Sequence, residues 1–176
     1  MICPWCGADN LDGVDECVAC GQSLSDAHLP DPATVVERGL LADYVQVLDP
    51  QDPVVVAAGT PVRDVLRAMV DGGTGCVVVA EANRPVGIFS ERDALVGLGT
   101  EASALGDRPV SGFMTAPPET LEPDAKVAFA VQRMAVGGYR HIPIVGVGGE
   151  LAGIISARDI LRYLTDRMGE GQGSAG

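Results

Sequence analysis

The chain is poor in positive charge. One lysine and eleven arginines stand against 24 acidic residues in 176, a formal net charge of −12, and no basic residue precedes Arg38. Proteins that bind nucleic acid neutralise phosphates with clustered Lys and Arg, so this balance argues against a polyanionic partner. No apolar run approaches the roughly 20 residues needed to span a bilayer. The opening Met1-Ile2-Cys3-Pro4 also lacks the basic and apolar regions of an export signal. No membrane association is expected, and a reducing cytoplasm is the expected compartment. Aromatics number only seven, so the core must come from the Val, Ala, Leu and Ile that dominate the 47% apolar fraction. Such a composition suits short buried strands packed by helices. Only two histidines, His28 and His141, and one cysteine beyond residue 20 are present. No nucleophile, base and orienting group recur at a recognisable spacing, and an enzyme is not expected.

Cysteine is concentrated at the N-terminus. Cys3-Pro4-Trp5-Cys6-Gly7 and Cys17-Val18-Ala19-Cys20-Gly21 form two knuckles with ten residues between them. Each knuckle curls two thiolates onto one point, and the glycine after its second cysteine permits the positive φ that turns the chain beneath a metal. Four sulfurs in a tetrahedron select Zn2+, with iron second. Two disulfides or a redox couple are the alternatives. Against them, no export signal is present, and a segment with only Leu11, Val14, Val18 and Leu24 to bury needs a staple to fold. With all four positions filled by cysteine, no site is left for water, so the role is structural. Residues 1–24 thus read as a module with Cys3, Cys6, Cys17 and Cys20 as metal ligands. They resemble the short N-terminal zinc ribbon of many prokaryotic proteins. The acidic residues Asp9, Asp12, Asp15 and Glu16 argue against nucleic-acid binding by it. Trp5 is either a docking point for a protein or packed on the metal loop. Residues 25–40, with Asp26, Pro30, Asp31 and Pro32, read as a linker that few contacts need cross, with His28 solvated in it.

The remainder repeats itself. Val62 to Gly73 aligns with Val127 to Gly138 at a constant offset of 65, and both carry apolar residues at i, i+3, i+4, i+7 and i+8 before stopping at Gly-Gly. That spacing predicts an amphipathic helix in each copy. Thr60 with Pro61 is expected to cap the first, and Asp124 the second. Strands are expected at 54–57, 76–80 and 86–89, and again at 120–122, 142–145 and 151–155. Gly87-Ile88-Phe89-Ser90-Glu91-Arg92-Asp93 matches Gly153-Ile154-Ile155-Ser156-Ala157-Arg158-Asp159, the offset now 66. A unit of about 50 residues cannot bury both faces of its sheet, so the two copies are expected to pack together. Ser90 with Asp93, and Ser156 with Asp159, have the spacing of a capping box. The same helix start suits anions and sugars, because its free N–H groups favour phosphate while the carboxylate accepts from ribose hydroxyls.

These stretches, with Arg140-His141-Ile142-Pro143-Ile144 and Phe113-Met114-Thr115, resemble a tandem pair of CBS domains, often called a Bateman module. The resemblance implies an α/β (α+β) fold of two CBS repeats, 41–109 and 110–168, packed with pseudo-twofold symmetry, preceded by the zinc-ribbon knuckle and followed by a flexible tail at 169–176. It also implies an adenosine nucleotide or related adenosyl ligand in clefts between the repeats. Asp93 and Asp159 would then face ribose, Ser90 and Ser156 the polar edge of the ligand, Thr60 the base or ribose, and Arg140 and His141 the phosphates. Gly75-Cys76 occupies the place of Arg140-His141 in the first copy, which therefore lacks the cation; Gly75→Arg would install it. Cys76 reads as a small buried hydrophobe. The expected function is a regulatory sensor of an adenine nucleotide that acts in trans on a protein target, and the resemblance implies discs that pair, so a homodimer is expected. The competing readings are a zinc-ribbon scaffold and a nucleic-acid-associated regulator, each with vestigial ligand clefts.

Overall fold

The computed structural model describes residues 2–3, 5–11, 14–22, 24 and 34–172, with residues 170–172 as backbone only. His28, Pro30 and Pro32 of the expected linker lie outside the described residues, as do Pro4 and Asp12. The elements are α1 (Val35–Ala42), β1 (Val55–Val56), α2 (Val62–Asp71), β2 (Cys76–Glu81), β3 (Arg84–Ser90), α3 (Glu91–Gly97), α4 (Ala102–Leu105), α5 (Val127–Gly137), β4 (His141–Val145), β5 (Leu151–Ser156) and α6 (Ala157–Gln172). Among the described residues no helix is long and apolar enough to cross a membrane.

The linker and tail expectations need correction at their edges. Thr34 starts α1 inside the expected linker: its hydroxyl accepts from the Glu37 amide while Glu37 returns a bond to the Thr34 amide, a complete capping box. At the other end α6 continues to Gln172, into the expected tail.

The chain divides into two compact units that cut through the repeats. One comprises Met1–Pro50, Pro123–Arg140 and Ser156–Gly176, and the other Gln51–Glu122 and His141–Ile155. In the second unit β1 pairs parallel with β2, and β2 pairs antiparallel with β3. The Ala82-Asn83 turn joins β2 to β3, both residues having positive φ, as the two-residue hairpin turn requires. A core of Val62, Val65, Met69, Val77, Val79, Phe89, Leu98 and Val110 fills the space beneath this sheet. The α2 stripe is narrower than its periodicity predicts, since Val70 is 79% exposed. Cys76 is buried as expected, and burial pushes its thiol up to about 12. Strands β4 and β5 form a separate two-stranded sheet. The strand expected at 120–122 is a single parallel bridge from Leu121 to Ile144.

The first unit gathers α1, α5 and α6. Val127, Ala128, Phe129 and Ala130 are all buried, so α5 is enclosed around its whole first turn and not along one stripe only. Asp43, just past α1, accepts from the Tyr163 hydroxyl at 2.8 Å and from Arg167, both on α6.

Neither expected side-chain cap on the repeat helices forms. The first amides of α2 donate instead to backbone carbonyls, Val62 to Arg108 and Arg63 to Gly106, and the Val127 amide of α5 donates to Asp43. Loop carbonyls satisfy the orphan donors that Thr60 and Asp124 were expected to serve.

Candidate functional site

The two cysteine knuckles are built alike. In each, the amide of the first cysteine donates to a carbonyl five residues on, Cys3 to Ala8 and Cys17 to Gln22. The glycine amide then returns to the first cysteine, Gly7 to Cys3 at 2.9 Å and Gly21 to Cys17 at 2.8 Å. Gly7 and Gly21 have φ of 73° and 67°, the left-handed turn predicted for them. Asn10, which the sequence reading passed over, ties the knuckles together. Its amide donates to the Ala8 carbonyl, and its oxygen accepts from Val18 at 2.9 Å. The apolar residues divide unexpectedly: Leu24 is buried and Val14 partly so, whereas Leu11 and Val18 are each 80% exposed. Trp5 packs against the cysteine cluster.

All four ligand sulfurs lie within 4.8 Å of one another. The Cys3–Cys20 and Cys6–Cys17 separations are 3.8 and 3.5 Å. A tetrahedron with metal–sulfur bonds of about 2.3 Å has edges of about 3.8 Å, whereas a disulfide needs about 2.05 Å. The spacing therefore fits four metal ligands and not two disulfides. Burial raises the Cys17 thiol, but amides of Ala19 and Cys20 and the neighbouring sulfurs outweigh it and bring Cys17 down to about 6. Burial pushes Cys6 and Cys20 up. Crowded thiols resist ionising together unless a cation neutralises them.

The residues expected to bind a ligand fall at two helix starts. At α3, the Ser90 amide and hydroxyl both donate to Asp93 Oδ2, at 2.8 and 2.6 Å, and the Asp93 amide returns to Ser90 Oγ. Asp93 Oδ1 accepts from the Thr115 hydroxyl at 3.1 Å. Thr115 is delivered by a two-way backbone bridge to Ile88 of β3, and Met114 beside it rests on Gly87, where an added Cβ would push the Met114 side chain aside. Sequence reasoning had noted Phe113-Met114-Thr115 without giving Thr115 this role. Thr60 lies in the same unit, half-buried, with its carbonyl accepting from the Val110 amide.

At α6, the Ser156 amide and hydroxyl each donate to Asp159 Oδ2 at 2.7 Å, and Arg162 pairs with Oδ1 at 3.0 Å. Asp159 is buried, whereas Asp93 is half-buried. The same spacing thus produces a closed carboxylate in one copy and a more open one in the other.

Arg140 and His141, adjacent in sequence, serve different helix starts. The Arg140 carbonyl accepts from the first amide of α6, Ala157, at 2.8 Å, as the Gly75 carbonyl accepts from the first amide of α3, Glu91, at 3.0 Å. Arg140 is exposed and its guanidinium has no ion-pair partner among the described residues. His141 instead faces Gly75: a Cβ there would lie 3.2 Å from His141 Cε1 and 3.4 Å from Glu91 Oε2. The first copy therefore does not lack a basic side chain at this place. His141 of the second copy stands there, so Gly75→Arg would crowd the imidazole, which must shift slightly to admit it.

A model of the CBS domain matches residues 46–99 and 110–166. An uncharacterized 17.7 kDa protein of Acidianus ambivalens is 34% identical over 113 residues, 64% of this chain and 67% of that one. Another, of Methanopyrus kandleri, is 32% identical over 111 residues, 61% of this chain but only 57% of its own length. Among solved structures, a CBS-domain protein of Pyrobaculum aerophilum complexed with AMP is 28% identical, with a TM-score of 0.61, covering 70% of this chain and 99% of that one.

Proposed function

The chain belongs to the CBS-domain family, and from that membership we propose that it is a regulatory protein that binds an adenosine nucleotide at the starts of α3 and α6. The observation that carries the reading is the pair of Ser–Asp helix starts, each with a basic residue held beside it by its own backbone or by close approach. Ser90 and Asp93 supply hydroxyl and carboxylate acceptors suited to ribose, and Thr60 a further hydroxyl for the base or ribose. Arg140 presents a planar fork that pairs with two phosphate oxygens at once. Asp159 and Ser156 set the position of the α6 start, where Arg140 is anchored. The AMP complex of the Pyrobaculum aerophilum relative supports an adenosine ligand.

In this reading the four cysteines hold one structural Zn2+, because sulfur donors at tetrahedral spacing select that ion and leave no position for water. The protein acts in the cytoplasm, as a homodimer, on a protein target in trans, and is not itself an enzyme. A thermal-shift panel of AMP, ADP, ATP and S-adenosylmethionine tests the nucleotide. At about 100 times Kd, ligand stabilises the native state by about 2.7 kcal/mol, a rise in Tm of roughly 5 to 10 °C for a chain of this size. No shift with any of the four returns the chain to the scaffold reading. Elemental analysis tests the metal, with about one zinc per chain expected.

A further inference from the structure

The four-cysteine segment has no basic side chain of its own to set against its thiolates. Four thiolates around a divalent cation leave a net charge of about −2, yet residues 1–24 contain no lysine, arginine or histidine. Backbone amides such as that of Trp5, which donates to Cys3 Sγ at 3.4 Å, offset part of that charge, and a cation supplied by another segment lowers the remaining cost. The compact unit that contains the knuckles also contains α5. There Gln132 Nε2 donates to Gln22 Oε1 at 2.8 Å, across 110 residues of sequence. Gln22 is the residue whose backbone carbonyl accepts from the Cys17 amide at 2.7 Å, so this bond grips the second knuckle at its frame. The next residue, Arg133, is half-buried, with its guanidinium 5.8 Å from the centroid of the Phe129 ring. Arg133 directly follows the residue that bonds Gln22, which itself lies two residues past the ligand Cys20, so it stands on the helix that meets the second knuckle.

We propose that the four-cysteine centre is latched to α5 through Gln132 and that Arg133 is the charge partner of the metal–thiolate group, so that metal loading and the docking of α5 are coupled. The proposal rests on the metal reading above. It replaces the expectation of an appendage separated from the repeats by a linker that few contacts cross. A cation beside a tetrathiolate lowers the cost of its negative charge, and a hydrogen-bonded neighbour fixes the ligand loop. Outer-shell partners of this kind typically change metal affinity about 10- to 100-fold when removed.

The test uses the full chain loaded with zinc. Transfer of zinc to a chromogenic chelator is followed for the parent, Arg133→Met, Arg133→Lys and Gln132→Ala, and amide exchange in α5 is compared before and after metal removal. The expected result is an apparent affinity about 10-fold or more lower in Arg133→Met, restored toward the parent in Arg133→Lys, with faster exchange in α5 once the metal is gone. Equal affinity in Arg133→Met and the parent, or α5 exchange unchanged by metal removal, overturns the proposal. The exchange measurement needs only the parent, so it decides even if Arg133→Met does not fold. A parent chain that takes up no zinc overturns the metal reading itself, a result elemental analysis separates from failure of the latch.

Discussion

Asp93 and Asp159 occupy equivalent places in the repeat yet have different surroundings. Asp159 is 7% exposed and accepts from Ser156 and Arg162, so its oxygens serve the start of α6. Asp93 is half-buried, and among the described residues its Oδ1 accepts only the Thr115 hydroxyl. Each Oδ1 keeps a second lone pair, but that of Asp93 is the more open to a ribose hydroxyl because Asp159 is buried. Asp159→Ala is therefore expected to act mainly on stability. Losing a helix-cap partner costs about 1 to 2 kcal/mol, which lowers Tm by roughly 2 to 8 °C. Asp93→Ala is expected to cost a similar stability through its own capping box and also to act on binding, where loss of a charge-assisted hydrogen bond of about 1.5 to 3 kcal/mol weakens a nucleoside roughly 10- to 100-fold. Melting curves and nucleoside titrations on the two variants separate these roles, and equal effects on both readouts would remove the distinction.

Between elements, the join of α1 to α6 depends on a residue without a side chain. A Cβ on Gly39 would lie 2.4 Å from the Tyr163 hydroxyl, which must stay in place to donate to Asp43. Gly39→Ala forces the tyrosine away and is expected to cost about 1 to 3 kcal/mol, as overpacking does, read as a lower denaturant midpoint. The same contact has a pH signature. Burial, followed by the hydrogen bond to Asp43 and its charge, pushes the Tyr163 phenol up to about 12 from 10. Because the folded state holds this proton more tightly than the unfolded one, the stabilisation is complete below about pH 10 and is lost as pH rises toward 12. Denaturant melts across that range should show the loss in the parent, with a smaller loss in Tyr163→Phe. Equal pH dependence in the two would show that the Tyr163 contact does not contribute.

For the molecule as a whole, the pairing of repeats with compact units matters more than the repeats themselves. Arg140 and His141 are consecutive residues, but one anchors the start of α6 and the other stands against Gly75 beside α3. Under the proposed function, two nucleotide sites of unequal phosphate affinity are expected, because an arginine fork pairs with two oxygens and an imidazole cannot. Calorimetry should resolve two sites in the parent, with Arg140→Ala weakening one for AMP by roughly 10-fold or more while leaving adenosine nearly unchanged there. A parent with two equal sites, or an Arg140→Ala variant that binds AMP as the parent does, would contradict this asymmetry.

Local patterns were legible in the sequence because their causes lie within a few residues. The CxxCG knuckles, both Gly-Gly stops after α2 and α5, and the Ser–Asp spacing at α3 and α6 depend on short-range geometry, and each lies where its pattern indicated. The 65-residue offset also revealed a repeat whose copies need each other to cover their sheets, and the resemblance of its Ser–Asp stretches to CBS domains implied the fold. What lay beyond the sequence depended on chain segments far apart. The carbonyls of Gly106 and Arg108 replaced the Thr60 cap, and β3 received Thr115 for Asp93. His141 came to rest on Gly75, and α5 was bonded to Gln22. Spacing along a chain specifies which donors and acceptors exist, but the neighbours that satisfy them are chosen only when distant segments are brought together by burial of their apolar faces.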